Sequence, residues 1–192
     1  MPRIAPLTPP YPEELANELR KWMPPDVALE PLSLFRTLAR HPLLFERMRP
    51  LGAALLGRGL LPPRTRELLI LRTCARCGAE YEWGVHVAAF AAAVGIERSL
   101  ADHTVLASVA ELALRTDDDA LLLRFADELH DRAEVSDATY ALLAERYAPE
   151  LLLEMTVLVG QYHMISFVVN VAGVELEPWA TRFAGGAEAN AR

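Results

Sequence analysis

The sequence predicts an all-α fold. Three observations carry this expectation. Apolar residues recur at three- and four-residue spacing along most of the chain. The breaks between these stretches fall at proline, glycine or a capping residue. No alternating apolar run bounded by turn residues offers a strand. With 192 residues, one domain over residues 1–192 is expected, long enough to bury a substantial core.

The elements follow in order. Prolines recur through Met1–Pro12, which is expected to be an extended arm. Helical periods run over Pro12–Met23, Ser33–His41 and Leu43–Leu56, with breaks at Pro24-Pro25 and His41-Pro42. After Leu61-Pro62-Pro63 come the two central stretches, Pro63–Arg76 and Glu80–Val94, the second closed by Gly95. A short helix at Ser99–Ala101 and longer ones at Thr104–Arg115 and Asp117–Asp131 are next. Asp117-Asp118-Asp119 sets acidic groups at a helix start, where the macrodipole favours them. Ser136 is suited to cap Ser136–Arg146. Pro149–Ala172 and a tail after Pro178 complete the chain, with 185–192 expected to be a flexible end.

Composition narrows the function. Hydrophobic residues make up 52% and charged residues 23%, an ordinary balance for a soluble protein. A net charge of −7 argues against nucleic-acid binding, which calls for a basic face. The apolar runs Leu151–Gly160 and Ile165–Gly173 fall short of the ~20 residues of a membrane span, so no membrane partner is expected. No basic segment precedes an apolar run at the N-terminus, and two cysteines make no disulfide framework; a cytoplasmic protein is expected.

The chemistry concentrates between Arg66 and His86. At about 100° per residue, Glu67, Ile70, Leu71 and Cys74 share one face of the first central helix, so Glu67 is a carboxylate in an apolar stripe. On the second, Ala79, Glu82, Trp83, His86 and Phe90 share a face, and Glu82 lies one turn before His86. A turn at Gly78 folding the helices antiparallel would bring Glu67 towards His86, making a Glu–His–Glu group in a low-dielectric place.

These residues carry a resemblance. Arg66, Glu67, Leu68, Ile70, Leu71 and Arg72, then Glu80, Tyr81, Glu82, Trp83 and His86, then Ala91 and Gly95 match a recurring pattern. It resembles that of the carboxymuconolactone decarboxylase and alkylhydroperoxidase D-like superfamily. The helices on either side, including Leu34–Pro42, are similar to those of its longer members. The resemblance implies an alkylhydroperoxidase D-like helical bundle and a homo-oligomer (dimer, trimer or hexamer), with sites near subunit contacts. The peroxidase branch of the superfamily uses C-x-x-C-x-x-x-H, preceded by a glutamate twelve residues before the first cysteine. Aligned on His86 and Glu67, the two thiol positions are occupied by Ala79 and Glu82. The acid and the imidazole are kept and both thiols are replaced.

Cys74 and Cys77 form a separate C-x-x-C near the C-terminal end of the first central helix, where the dipole disfavours a thiolate. They are read first as small apolar residues lining the core, with a redox role as the alternative. A metal site from Cys74, Cys77, Glu82 and His86 lacks the paired spacing of structural zinc, so no metal and no cofactor is expected.

Proton transfer suits the cluster better. Burial raises a carboxyl pKa, so Glu67 is expected above its ordinary range, with His86 titrating near neutrality. Glu67, Glu82 and His86 are the candidate catalytic groups, and a satisfied structural network is the competing reading. Trp83 could wall a pocket but is more often core. In the last long helix His163, Ser166 and Asn170 share a face and are expected to complete a pocket or to bond across a subunit contact. His41, His103 and His130 are expected to be solvated, and Tyr81 and Glu80 to support a neighbouring element. Three functions remain open: a cofactor-free enzyme acting on a small organic acid or lactone, a thiol redox protein using Cys74 and Cys77, and a non-catalytic oligomeric scaffold or binding protein.

Overall fold

The computed structural model describes residues 1–23, 29–113 and 117–185; the Pro24-Pro25 break and the end of the chain beyond 185 lie outside them. Among the described residues the chain is helical with no strand. The helices are α1 (Glu13–Arg20), α2 (Ser33–Leu38), α3 (Pro42–Gly57), α4 (Pro63–Arg76), α5 (Glu80–His86), α6 (Arg98–Leu106), α7 (Val109–Ala113), α8 (Asp118–Arg132), α9 (Asp137–Ala144) and α10 (Pro149–Ala172). A π turn (Val87–Ala91) and a 3-10 turn (Ala92–Val94) continue α5.

The centre is α4, packed against α8, α10, α5 and α6. Its residues from Glu67 to Cys74 are all buried. Leu68, Leu69, Ile70 and Leu71 meet a core to which α8 gives Leu121, Leu122, Leu123 and Phe125, and α10 gives Met155, Leu158, Val159 and Ile165. A helix covered on every side must satisfy its charges internally, because an unpaired buried charge costs several kcal/mol. Arg72, 1% exposed, does so with a fork: Nε donates to Asp127 Oδ1 at 2.7 Å and Nη2 to Oδ2 at 2.8 Å. Its Nη1 donates to the Thr104 carbonyl at 2.8 Å. The Thr104 hydroxyl in turn accepts from Trp83 Nε1 at 3.0 Å and donates to the Ala101 carbonyl at 2.7 Å. One polar network thus ties α4, α8, α6 and α5 together.

The link between α4 and α5 is set by Gly78. Its φ of 61° is left-handed, and the amides of Gly78 and Ala79 donate back to the carbonyls of Ala75 and Cys74. This is a Schellman closure, which ends α4 and sends the chain back along it. Gly84 in α5 is required for a different reason. The chain after α10 crosses here, with Thr181 N donating to the Gly84 carbonyl, and a Cβ on Gly84 would lie 2.1 Å from the Thr181 oxygen. Tyr81 holds the same layer: its hydroxyl donates to Glu177 at 2.8 Å and accepts from Leu34 N at 3.1 Å. The arm before α1 caps the far end of α10, where Arg3 N and Ile4 N both donate to the Ala172 carbonyl.

Three boundaries differ from expectation. The stretches at Ser99–Ala101 and Thr104–Arg115 are divided elsewhere, as α6 and α7, because Ala107 is extended and the Ser108 hydroxyl accepts from Glu111 N at 3.1 Å. A local cap outweighs a continuous apolar period there; residues 114–116 lie outside the described part. The stretch Glu80–Val94 does not stay α-helical but switches to a π turn directly after His86. Past Pro178 the described residues form turns and extended chain. The caps at Asp117 and Ser136 form, each side chain accepting from the backbone amide three residues on. By length and composition alone α10 could cross a membrane, but half of its apolar stretch is buried and its inner face packs on α4, as in a core helix.

Substituting Asp127→Ala would leave the Arg72 guanidinium buried and unpaired. The expected cost is about 3–5 kcal/mol, read as a lower denaturant midpoint in equilibrium unfolding. A loss near zero would show that water or another group replaces the carboxylate.

Candidate functional site

Antiparallel α4 and α5 bring an acid and an imidazole face to face. Glu67 Oε2 lies 2.7 Å from His86 Nδ1, and both side chains are buried, at 1% and 3% residue exposure. The other Glu67 oxygen accepts from Arg66 Nε at 3.1 Å, and Arg66 is steadied by a bond from Nη1 to the Leu56 carbonyl at 2.9 Å. On its opposite edge His86 Nε2 is 3.0 Å from the Tyr162 hydroxyl of α10 and 3.5 Å from Glu82 Oε1. The imidazole is therefore flanked on both nitrogens. Glu82 Oε2 is buried with no hydrogen-bond partner among the described residues. Native proteins rarely leave such an oxygen unsatisfied, and where they do it marks strain, catalysis or a bound species.

The charges fit together. Burial alone would lower the His86 pKa, but Glu67 and then Glu82 more than offset it and push it up to about 9. Burial alone would raise the Glu67 carboxyl; the facing His86 and the Arg66 guanidinium hold it below its ordinary range instead. At neutral pH the centre is thus an imidazolium between carboxylates, with Nδ1–H assigned to Glu67 and Nε2–H to Tyr162. This corrects two expectations. Glu67 is not an acid raised by desolvation, and His86 does not titrate near neutrality, because each is the other's counter-charge. Tyr162, fully enclosed and beside two carboxylates, has its hydroxyl pushed far up by burial.

The ring of Phe90, in the π turn, lies 5.1 Å from that of His86 and is 37% exposed. It is an apolar ring that touches the imidazole and is partly exposed. A π turn frequently accompanies a functional site. A cleft of about 1150 Å³ lined by Glu14, Lys21, Phe45 and Arg49 lies on α1 and α3, away from this centre.

The remaining candidates are placed as follows. Trp83 faces away from His86, its indole bonded to Thr104 and edge-on to Phe183 with centroids 5.1 Å apart. Cys74 and Cys77 are free thiols in different surroundings. Cys74 is in the core, where Ser166 Oγ reaches its sulfur at 3.9 Å; Cys77 is half-buried, 3.8 Å from His130. Burial raises both thiol pKa values, Cys74 strongly. Asn170 Nδ2 donates to the Cys77 carbonyl at 2.7 Å. His163 pairs with His130 at 2.9 Å, so neither His163 nor Asn170 reaches His86 in the way expected of a shared pocket face. His130, expected in solvent, is half-buried within α8 and bonded to another ring. The residue that sequence reasoning passed over is Tyr162. Its signal was available: it lies on the inward face of α10 with Met155, Leu158, Val159 and Ile165, where a hydroxyl must find a partner.

The fold and this centre define a helical bundle carrying a buried acid–imidazole pair on consecutive helices. A model of the carboxymuconolactone decarboxylase family matches residues 42–110. Solved structures share the fold over almost the whole chain. An uncharacterized peroxidase-related protein from Silicibacter sp. TM1040 superposes with a TM-score of 0.74 at 16% identity, covering 94% of this chain and 96% of its own. An uncharacterized peroxidase-related protein with an alkylhydroperoxidase AhpD core, from Ralstonia eutropha JMP134, gives 0.73 at 19% identity, covering 91% and 93%. The debrominase Bmp8, solved in complex with 2,3,4-tribromopyrrole, gives 0.68 at 15% identity, covering 91% of each chain. At these identities the likeness is one of fold. No curated protein matches the sequence.

The His86 pKa sets the sign of a pH dependence. A group raised in the folded state gives stability that is present in full below its unfolded value near 6.5 and is lost as pH rises through about 9. Thermal unfolding from pH 7 to 10 should show a falling midpoint, equivalent to as much as about 3 kcal/mol. The fall should be absent in His86→Gln; an equal fall in that variant would place its origin elsewhere.

Proposed function

We propose that the protein is a cofactor-free enzyme that moves a proton to or from a small organic acid or lactone at the Glu67–His86–Glu82 centre. The single observation behind this is the unpartnered Glu82 oxygen beside an imidazole whose two nitrogens are already engaged. A buried carboxylate oxygen with no protein partner among the described residues is placed to accept a hydrogen from a bound substrate. In a decarboxylation, the bond to the leaving carboxyl breaks and its electron pair stays on the ring carbon. The His86 Nε2–H, directly or across the Tyr162 hydroxyl, then gives that carbon its proton. Glu67 holds the imidazole in orientation and balances its charge before the transfer, and Arg66 at the edge of the cluster suits an anionic substrate.

The test is turnover of a panel of small lactone acids and cyclic carboxylic acids, with 2,3,4-tribromopyrrole added because a protein of this fold was solved with it. His86→Gln and Glu82→Gln should each lower kcat by about 10²-fold or more, with Tyr162→Phe losing less. Wild-type activity should fall above about pH 9 as the imidazolium is lost. Turnover unchanged in His86→Gln and Glu82→Gln would remove the proposal and leave the scaffold reading. The thiol alternative is disfavoured by the raised pKa of both cysteines; peroxide consumption abolished by Cys74→Ser or Cys77→Ser would revive it.

A homo-oligomer is part of the same proposal. Leu153, Val157, Met164, Phe167 and Val171 are exposed along one stripe of α10 at spacings of four, seven, three and four, the seam a second copy of the helix can pack into. Light scattering at micromolar concentration should give a multiple of the chain mass, shifted towards one chain by Phe167→Glu. A monomeric wild type would contradict this.

A further inference from the structure

Three side chains outside the proton-transfer centre converge at the half-buried rim where α4, α8 and α10 meet. They are Cys77, at the C-cap of α4, His130 of α8 and His163 of α10. Their sulfur and nitrogen atoms all lie within 4.8 Å of one another. His130 Nδ1 is 2.9 Å from His163 Nε2, and Cys77 Sγ is 3.8 Å from the same His130 nitrogen. The other nitrogen of His163, Nδ1, donates to the Val159 carbonyl at 2.9 Å. That bond fixes the tautomer and aims an Nε2 lone pair at the centre of the group, the arrangement that orients metal-binding histidines.

We propose that Cys77, His130 and His163 bind a zinc-class divalent cation, with the remaining coordination position open to water. The distances are those of a site nearly formed. Zinc bonds of about 2.0–2.1 Å to nitrogen and 2.3 Å to sulfur, placed tetrahedrally, set nitrogen–nitrogen and nitrogen–sulfur edges of about 3.3 and 3.6 Å. The observed 2.9 and 3.8 Å lie on either side and the third edge, from Cys77 to His163, is within 4.8 Å, so side-chain shifts of up to about 1 Å at the rim close the site. On binding, the His130 proton now shared with His163 moves from Nδ1 to Nε2 of the same ring, and the Cys77 thiol releases its proton to solvent. Two imidazoles and one thiolate are a borderline-soft set that selects zinc or copper over magnesium or calcium.

The surroundings are compatible. Arg76 is a cation whose charge acts on both Cys77 and His130, and it is itself paired with Asp131 at 2.5 Å and Asp127 at 3.6 Å. Burial, Arg76 and His163 hold His130 below its ordinary pKa, so its ring is neutral and available. Burial holds the Cys77 thiol protonated, and a bound cation supplies the charge a thiolate needs. Asn170 fixes the Cys77 backbone from α10. This ligand set differs from the Cys74, Cys77, Glu82 and His86 set rejected from the sequence. Cys74 is withdrawn into the core, and the two histidines come from helices 53 and 86 positions further along, a relation no local spacing reveals. No residue is shared with the Glu67–His86 centre, so the cation would pin three helices independently of catalysis there.

The test uses the full chain, stripped with chelator and titrated with CoCl2 and then ZnCl2. The wild type should bind a single cobalt with a thiolate-to-cobalt charge-transfer band in the near ultraviolet, and zinc should displace it. ZnCl2, but not MgCl2, should raise the melting temperature. Cys77→Ser should abolish the band, and His130→Ala and His163→Ala should each weaken zinc binding at least tenfold, whereas Cys74→Ala should keep the band. The proposal is overturned if the wild type shows no thiolate–cobalt band at protein stoichiometry. It is equally overturned if binding survives His130→Ala and His163→Ala, or if Cys74→Ala is the variant that removes the band. The wild-type spectrum decides the matter even where a variant folds poorly.

Discussion

Everything in this molecule depends on how α4 disposes of two opposite charges that its burial forces into the core. Arg72 and Glu67 lie five residues apart on a helix with almost no exposed surface. Each can stay charged only by finding a partner on a different neighbour. Arg72 finds Asp127 of α8, and Glu67 finds His86 of α5. Two such fixed points, with the Thr104 links to α5 and α6, leave α4 little freedom to slide or rotate. A purely apolar core would tolerate such slippage more readily, since Leu and Ile faces are interchangeable at small cost. The position of the Glu67–His86 pair is therefore a consequence of packing as much as a site superimposed on it.

The same constraint sets the character of the centre. With Arg66 and His86 positive and Glu67 and Glu82 negative, the formal charges cancel within one cluster. That cancellation is what permits four ionisable groups in a region largely closed to bulk solvent. It also means that each charge is held by the others, so His86 stays protonated through the neutral range. Tyr162 and Phe90 then define the two sides of the ring, one polar and enclosed, the other apolar and next to solvent.

Much of this was legible in the sequence, and the failures have physical causes. The helices were readable because proline, glycine and capping residues punctuate them; Gly78 marked the reversal that brings Glu67 to His86. The superfamily pattern was readable because its charged positions stand in an apolar background. The electrostatics were not: desolvation of Glu67 is visible from one helix, whereas the imidazolium that overrides it requires the distance between two. Tyr162 was hidden in a helix whose polar residues His163, Ser166 and Asn170 offered an equally plausible face. Packing separates that face, sending Ser166 to Cys74 and His163 to His130. The break at Ala107 was lost because the apolar period runs through it, and the π turn after His86 left no mark in an alanine-rich stretch.

The central claim is that His86 is held as an imidazolium by an acid on the neighbouring helix. It is tested most directly by the side-chain nitrogen chemical shifts of His86, followed by NMR across the pH range. Both nitrogens should report the protonated ring through neutrality, with a single transition close to pH 9 that moves sharply downward in Glu67→Gln. A transition near 6.5, or a ring neutral throughout, would contradict it.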